Sequence, residues 1–280
     1  MPASVRPSDL SLAAALALWA GAAVAAPPER VVSMNLCTDQ LAMLLADPGQ
    51  LVSVSHLALD PLSSAMVEEA RAYPVNRGGA EQIYLMHPDL VLAGTYTSRA
   101  SVDLLRGLGV QVVEIPPADR LSDVADHLRL IGAALGHPAR AEAMATAFET
   151  ELAALPAVTD RIGAAMYYPN GYTAGSGTLS DQILTLTGFA NVGAEAGLTG
   201  GGILPLERLV MAAPDLIVTS TPYPGASRSE EILTHPALAS LRRDAAQARV
   251  RDADWVCGTP HVLNAIRTMA TARAALGPAP

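Results

Sequence analysis

The sequence predicts an α/β protein of two Rossmann-like lobes with mostly parallel sheets, bridged by a long α-helix, with a ligand cleft between the lobes. Three observations predict it. A phrase occurs twice, as Glu81-Gln-Ile-Tyr-Leu-Met-His-Pro88-Asp89-Leu90-Val91 and as Glu207-Arg-Leu-Val-Met-Ala-Ala-Pro214-Asp215-Leu216-Ile217. Each copy runs Glu, six residues, Pro-Asp-Leu, then an apolar run, which reads as a short helix stopped by proline and followed by a buried strand. A fixed spacing repeated about half a chain later implies two similar units. Around both copies, short apolar strands alternate with helical patterns, the mark of a parallel α/β sheet. Between the copies lies a stretch that is helical throughout.

In order, residues 1–26 read as an export signal. Arg6 gives a thin positive start, residues 10–24 are apolar but short for a bilayer, and Ala23-Val24-Ala25 is a cleavage signature. No cysteine sits near that point, so lipid anchoring is not expected. Residues 27–121 form the N-terminal lobe: strands at 30–34, 51–55, 90–93 and 110–115, a short helix at 81–86, and a helix at 101–108 stopped by Gly109. Residues 122–156 are the inter-lobe helices, with Pro138 fit for a first helical turn. The second of these helices holds about 18 residues, roughly 27 Å at 1.5 Å per residue, a stiff connector. Residues 157–280 form the C-terminal lobe. It has a strand at 161–168, a loop at 169–177, a helix opened by Thr178, and a flexible loop at Gly200-Gly201-Gly202. The second Glu phrase follows, then strands at 216–219 and 248–251, a loop at 255–260 and a closing helix.

Composition excludes several classes. The formal charge is −9 with no basic run, so nucleic acid has no electrostatic footprint. An acidic exported protein suits a basic partner surface. No H-E-x-x-H, P-loop or G-x-G-x-x-G is present, and Gly175-Ser-Gly177 is not a nucleophile elbow. No catalytic residues are therefore assigned.

Several pieces together carry a resemblance: Arg30-Val-Val-Ser with Thr38-Asp-Gln-Leu-Ala, both Glu phrases, Leu105-Arg-Gly-Leu-Gly109-Val, the mid-chain helix, Thr173-Ala-Gly-Ser176 and Trp255 to Pro260. The chain resembles the helical-backbone periplasmic substrate-binding proteins of ABC importers, the iron-siderophore and cobalamin family, and most closely the cobalamin-binding members. The resemblance implies a periplasmic protein that captures a corrinoid or other bulky metal chelate and delivers it to a permease dimer. It implies no cofactor beyond cobalt or iron within the ligand, and contact with the membrane only through the permease. Ferric-siderophore or haem binding by the same fold is the alternative. A non-transport sensor or scaffold, or an enzyme, would belong to another class.

In that family one glutamate per lobe meets arginines on the permease, and Glu81 and Glu207 match those positions. A carboxylate facing a guanidinium fork makes charge-assisted hydrogen bonds. Ligands in open α/β sheets sit beyond the strand ends, so the expected ligand residues are Asn35, Cys37, Thr38, His56, Leu57, Tyr96, Tyr168, Tyr172, Ser176, Trp255 and His261. Trp255 is expected to offer open aromatic surface in a Gly/Pro-rich loop. Where corrinoid-binding relatives carry tryptophan, this chain reads Pro74-Val-Asn-Arg-Gly and Ala93-Gly-Thr-Tyr, so an aromatic corrin cage is not implied. Cys37 and Cys257 fall in facing loops. They are open to three readings: buried small residues, a disulfide across the cleft, or contact with a metal centre.

Overall fold

The computed structural model describes residues 26–156, 158–219 and 227–277; residues 1–25 of the expected export segment lie outside them. The N-terminal lobe is built from β1 (Val31–Ser33), α1 (Leu36–Leu45), β2 (Leu51–Ser55), α2 (Val67–Ala70), β3 (Val75–Asn76), α3 (Ala80–Tyr84), β4 (Leu90–Gly94), α4 (Arg99–Gly107) and β5 (Gln111–Ile115). Its sheet is parallel in the order β3-β2-β1-β4-β5. Strand β4 is buried along its whole length, as a central parallel strand covered on both faces must be.

The chain then forms α5 (Leu121–Leu135) and α6 (Pro138–Ala153). The two helices fold back on each other across a left-handed Gly136, φ 83°. The connector is thus a helical hairpin rather than a single strut. Arg129 clips it shut, donating to Glu142 at 2.8 Å and Glu149 at 2.9 Å. The hairpin serves both lobes. Leu128, Ile131, Leu135, Ala141 and Ala145 join the core of the N-terminal lobe with Leu41, Leu45, Leu90 and Leu92. Val124 and Phe148 join the other core, with Phe189, Ile266 and Met269. Truncating one of these large side chains to alanine costs about 2–5 kcal/mol.

The C-terminal lobe follows with β6 (Ile162–Met166), β7 (Tyr172–Ala174), α7 (Leu179–Leu186), β8 (Phe189–Asn191), α8 (Val192–Glu195), β9 (Gly201–Ile203), α9 (Leu206–Ala212), β10 (Leu216–Thr219), α10 (Pro236–Asp244), β11 (Ala246–Arg249) and α11 (Val262–Leu276). Its main sheet is parallel in the order β11-β10-β6-β8. The expected loops around Tyr172 and at Gly200 to Gly202 are instead an antiparallel pair, β7 with β9. Glycine hid the strand from a propensity reading. A side chain on Gly201 would have to displace the Tyr172 ring, because its Cβ would lie 1.9 Å from the Tyr172 hydroxyl.

The duplication extends to hydrogen bonds. Asp89 accepts from the amides of Glu29 (2.7 Å) and Arg30 (3.0 Å), at the start of β1. Asp215 accepts from the amide of Gly163 at 2.8 Å, at the start of β6. The residue before each proline, His87 (φ 50°) or Ala213 (φ 43°), is left-handed. A second pair is less visible in the sequence. Asp39 on α1 accepts from the amide and hydroxyl of Ser55 at the end of β2. Asp181 on α7 accepts from Asn191 at the end of β8, at 2.9 Å.

Candidate functional site

The lobes meet where the start of α1 faces the loop before α11. Cys37 and Cys257 are bonded there, with Cα atoms 5.1 Å apart. The bond removes the readings of these cysteines as free small residues or metal-contacting thiols. Beside it, Thr259 Oγ1 donates to Gln40 Oε1 at 3.4 Å, and the amide of Ala253 donates to Leu62 O at 3.1 Å. Among the described residues, no group of three or more His, Cys, Asp or Glu is placed to hold a metal.

A cavity of about 200 Å³ lies next to the disulfide. Asn35, Cys37 and Tyr96, three of the expected ligand residues, line it. Asn35 caps α1, its Oδ1 accepting from Cys37 N at 2.9 Å. Tyr96 is 87% exposed. The far wall comes from Ala118, Val256 and Gly258. Gly258 permits the lobes to touch, because a Cβ there would lie 2.1 Å from the Ala118 Cβ.

His127 also lines the cavity and was missed in the sequence. It is 6% exposed and hydrogen-bonds to no described residue. Burial pulls its pKa below the usual histidine value, against the pull of Asp123 and Asp126, so the ring is neutral at neutral pH. The available signal was a histidine on the apolar face of α5, in register with Val124, Leu128 and Ile131.

The other expected ligand residues lie outside this cavity. Thr38 is fully buried and ties Ser33 (2.8 Å) to the carbonyl of Asn35 (2.9 Å), so it shapes the turn. His56 and Leu57 are exposed on a 3-10 turn, with Leu57 42% exposed. Tyr168 packs against the C-terminal core, and burial pushes its hydroxyl pKa well up. Tyr172 lies on β7, and Ser176 donates to Leu198 O at 3.2 Å. Trp255 corrects the expectation of open aromatic surface. It is 6% exposed, sits in the hydrophobic core, and its backbone amide donates to the Asp252 carbonyl at 3.1 Å. The core of the lobe had room for an indole. His261 is half-buried with an unpartnered Nε2, its pKa lowered by burial and facing Asp254 and Glu69. A wider hollow of about 500 Å³ lies between residues 59–71 and Arg251.

Glu81 and Glu207 are both exposed in the first turn of α3 and α9. Neither carboxylate makes a hydrogen bond or ion pair with a described residue. Each is followed three and four positions on by exposed apolar side chains: Tyr84 and Leu85 (66% exposed) in one copy, Val210 and Met211 (84% exposed) in the other. At helical spacing those side chains share the face of the glutamate.

The model of the periplasmic binding protein family matches residues 31–254, which takes in both sheets and the hairpin between them. The chain belongs to this family. Among curated relatives of this periplasmic binding protein, an uncharacterized ABC transporter substrate-binding lipoprotein, YvrC of Bacillus subtilis, is 25% identical over 69% of the chain and 64% of its own. A vitamin B12-binding protein of Pectobacterium carotovorum is 26% identical over 59% of the chain and 62% of its own. The chain thus spans less than two thirds of either relative. A periplasmic heme-binding protein of Pseudomonas aeruginosa shares the fold, with a TM-score of 0.72 at 21% identity, covering 90% of this chain and 95% of that one.

Proposed function

We propose that the protein is the substrate-binding component of an ABC importer. It works outside the cytoplasm, captures a corrinoid or similar bulky metal chelate between its lobes, and delivers it unchanged to a permease dimer. The observation that carries this reading is the matched presentation of Glu81 and Glu207. Two exposed carboxylates, bonded to no described residue, stand on equivalent helices, each beside two exposed apolar side chains. A C2-related pair of permease subunits offers the same surface twice, and a duplicated lobe answers it twice. A charged anchor with apolar neighbours fits a docking patch better than a solvated helix end. The ligand then occupies the cleft around Asn35, Cys37 and Tyr96, with the remaining loop residues on its approaches. The family resemblance and the vitamin B12-binding relative support the corrinoid class. The likeness to a heme-binding protein makes haem the second reading.

The test is a thermal-shift panel of cobalamin, cobinamide, haem and ferric siderophores on the purified protein. A ligand at 100 times its Kd should stabilise the fold by about 2.7 kcal/mol. A response to a corrinoid supports the reading and a response to haem alone moves it to the second. Silence to all, with a response to a bare metal ion, rejects the chelate class.

A further inference from the structure

We propose that the cavity beside the disulfide is a subsite for an uncharged carboxamide arm of the ligand, with His127 as its recognition residue. The proposal rests on the chelate-capture reading and names the chemistry of one part of that site.

Size comes first. About 200 Å³ falls below the roughly 300–1,000 Å³ of pockets that swallow a drug-sized ligand. A macrocycle does not fit, so it must lie outside, over the exposed Tyr96. A short arm reaching inward does fit.

Charge comes next. Among the described residues that line the cavity, none carries a fixed charge. A carboxylate entering it would lose its water and meet no cation, which is strongly unfavourable. A carboxamide carries no such penalty. Its polar atoms still need partners, and the cavity supplies them. A neutral imidazole can turn either a donor or an acceptor nitrogen to the arm, so it pairs with the C=O or with the N–H of a carboxamide, whichever its tautomer meets. His127 is 6% exposed and hydrogen-bonds to no described residue, and its ring nitrogens are not among the fully enclosed unpartnered atoms, so a ligand or water can reach them. Asn35 adds a second donor. Its Oδ1 is used by Cys37 N, while its Nδ2 has no acceptor among the described residues and faces Gly94, another lining residue. The backbone holds this geometry in place, with Gly258 against Ala118 on one side and the disulfide on the other.

The chemistry therefore discriminates between chelates by their periphery. A macrocycle fringed with carboxamides is accepted, and one fringed with carboxylates is not. The test uses isothermal titration of cobinamide, of the corrinoid acid in which its amides are hydrolysed to carboxylates, and of haem. Wild-type protein should prefer cobinamide over the acid by at least tenfold, a comparison that needs no variant. His127→Ala should weaken cobinamide by roughly 5- to 30-fold, the loss of one or two buried hydrogen bonds. His127→Gln should recover part of it, because the amide side chain again donates and accepts. If cobinamide binds but is indifferent to His127 and to amide hydrolysis, the subsite is overturned while the importer reading stands. If haem alone binds, the carboxamide preference fails and the importer reading survives with another ligand. If none of the three binds, the subsite is overturned as well.

Discussion

The two copies of the Glu phrase present the same surface but are held from below in different ways. In the N-terminal copy, Asp89 gathers two amides, and the Arg30 guanidinium returns to the carbonyls of Met86 (2.7 Å) and His87 (3.2 Å). In the C-terminal copy, among the described residues, Asp215 holds a single amide, that of Gly163, and no arginine returns. The upper pair differs too. Asp39 is fully buried beneath the cleft, whereas Asp181 is only half-buried. What is held constant is the exposed Glu, the left-handed residue before proline and the Asp that joins neighbouring strands. The supporting polar network has drifted. A duplicated element thus keeps the carboxylate it exposes and the atoms that fix its register, while the rest is free to vary.

The largest way to break the comparison is to unlink the lobes. Cys37 and Cys257 are 220 residues apart, and closing so long a loop lowers unfolded-state entropy by up to about 5 kcal/mol, with 2–4 kcal/mol typical. Reduction, or Cys37→Ser with Cys257→Ser, should lower the melting temperature by several degrees and split one calorimetric transition into two. A single unchanged transition would show that the lobes are coupled through the hairpin alone.

Next in size is pH. Burial, opposed by hydrogen bonds from Ser33 and Ser55, raises the Asp39 pKa from 3.8 to about 6. The folded state therefore holds this proton more tightly than the unfolded chain. The stability it confers is complete below about 4 and is lost as pH rises through about 6, on the order of 3 kcal/mol at 1.36 kcal/mol per pH unit. His127 and His261, with lowered pKa values, act in the opposite sense and weaken the fold as pH falls below about 6.5. The difference between Asp39→Asn and wild type isolates the aspartate. In urea melts, the variant should gain on wild type between pH 4 and 7. A flat difference would place the Asp39 carboxyl in contact with water.

Asp89→Ala should cost about 2 kcal/mol and Asp215→Ala about 1 kcal/mol, in the ratio of the amides each frees. Chemical denaturation showing the reverse order would mean that the N-terminal network is redundant. The smallest effect is expected at the helix ends. His87→Gly and Ala213→Gly each relieve a left-handed non-glycine residue and should stabilise by about 0.5–1 kcal/mol. Destabilisation at either would show that its side chain packs.

Much of this was legible in the chain. Pro88 and Pro214 stop helices and announce strands, and the spacing to Glu81 and Glu207 reveals the duplication. What could not be read depended on neighbours distant in sequence. The strand β9 is hidden in a glycine run, and only its pairing with β7, where the Tyr172 ring lies over Gly201, reveals it. Trp255 reads as a cleft residue from its Gly/Pro-rich loop, yet the core of the C-terminal lobe receives it. His127 reads as one more core position of a helix, and only the approach of Val256 and Gly258 turns its surroundings into a cavity. The pairing of Cys37 with Cys257 was one of three open readings until the loops were brought together.

The central claim is that Glu81 and Glu207 are twin docking anchors. The most direct measurement is import at limiting ligand, in cells where this chain is the sole binding protein for its permease, using Glu81→Ala, Glu207→Ala and the double variant. Both side chains are exposed and bonded to no described residue, so all three proteins should melt and bind ligand as wild type does. Each single change should reduce import several-fold and the double change by at least tenfold, as expected when both charged anchors of an interface are removed. Wild-type import by a folded, ligand-competent double variant would contradict the account and leave the repeated phrase as a remnant of duplication that serves the fold alone.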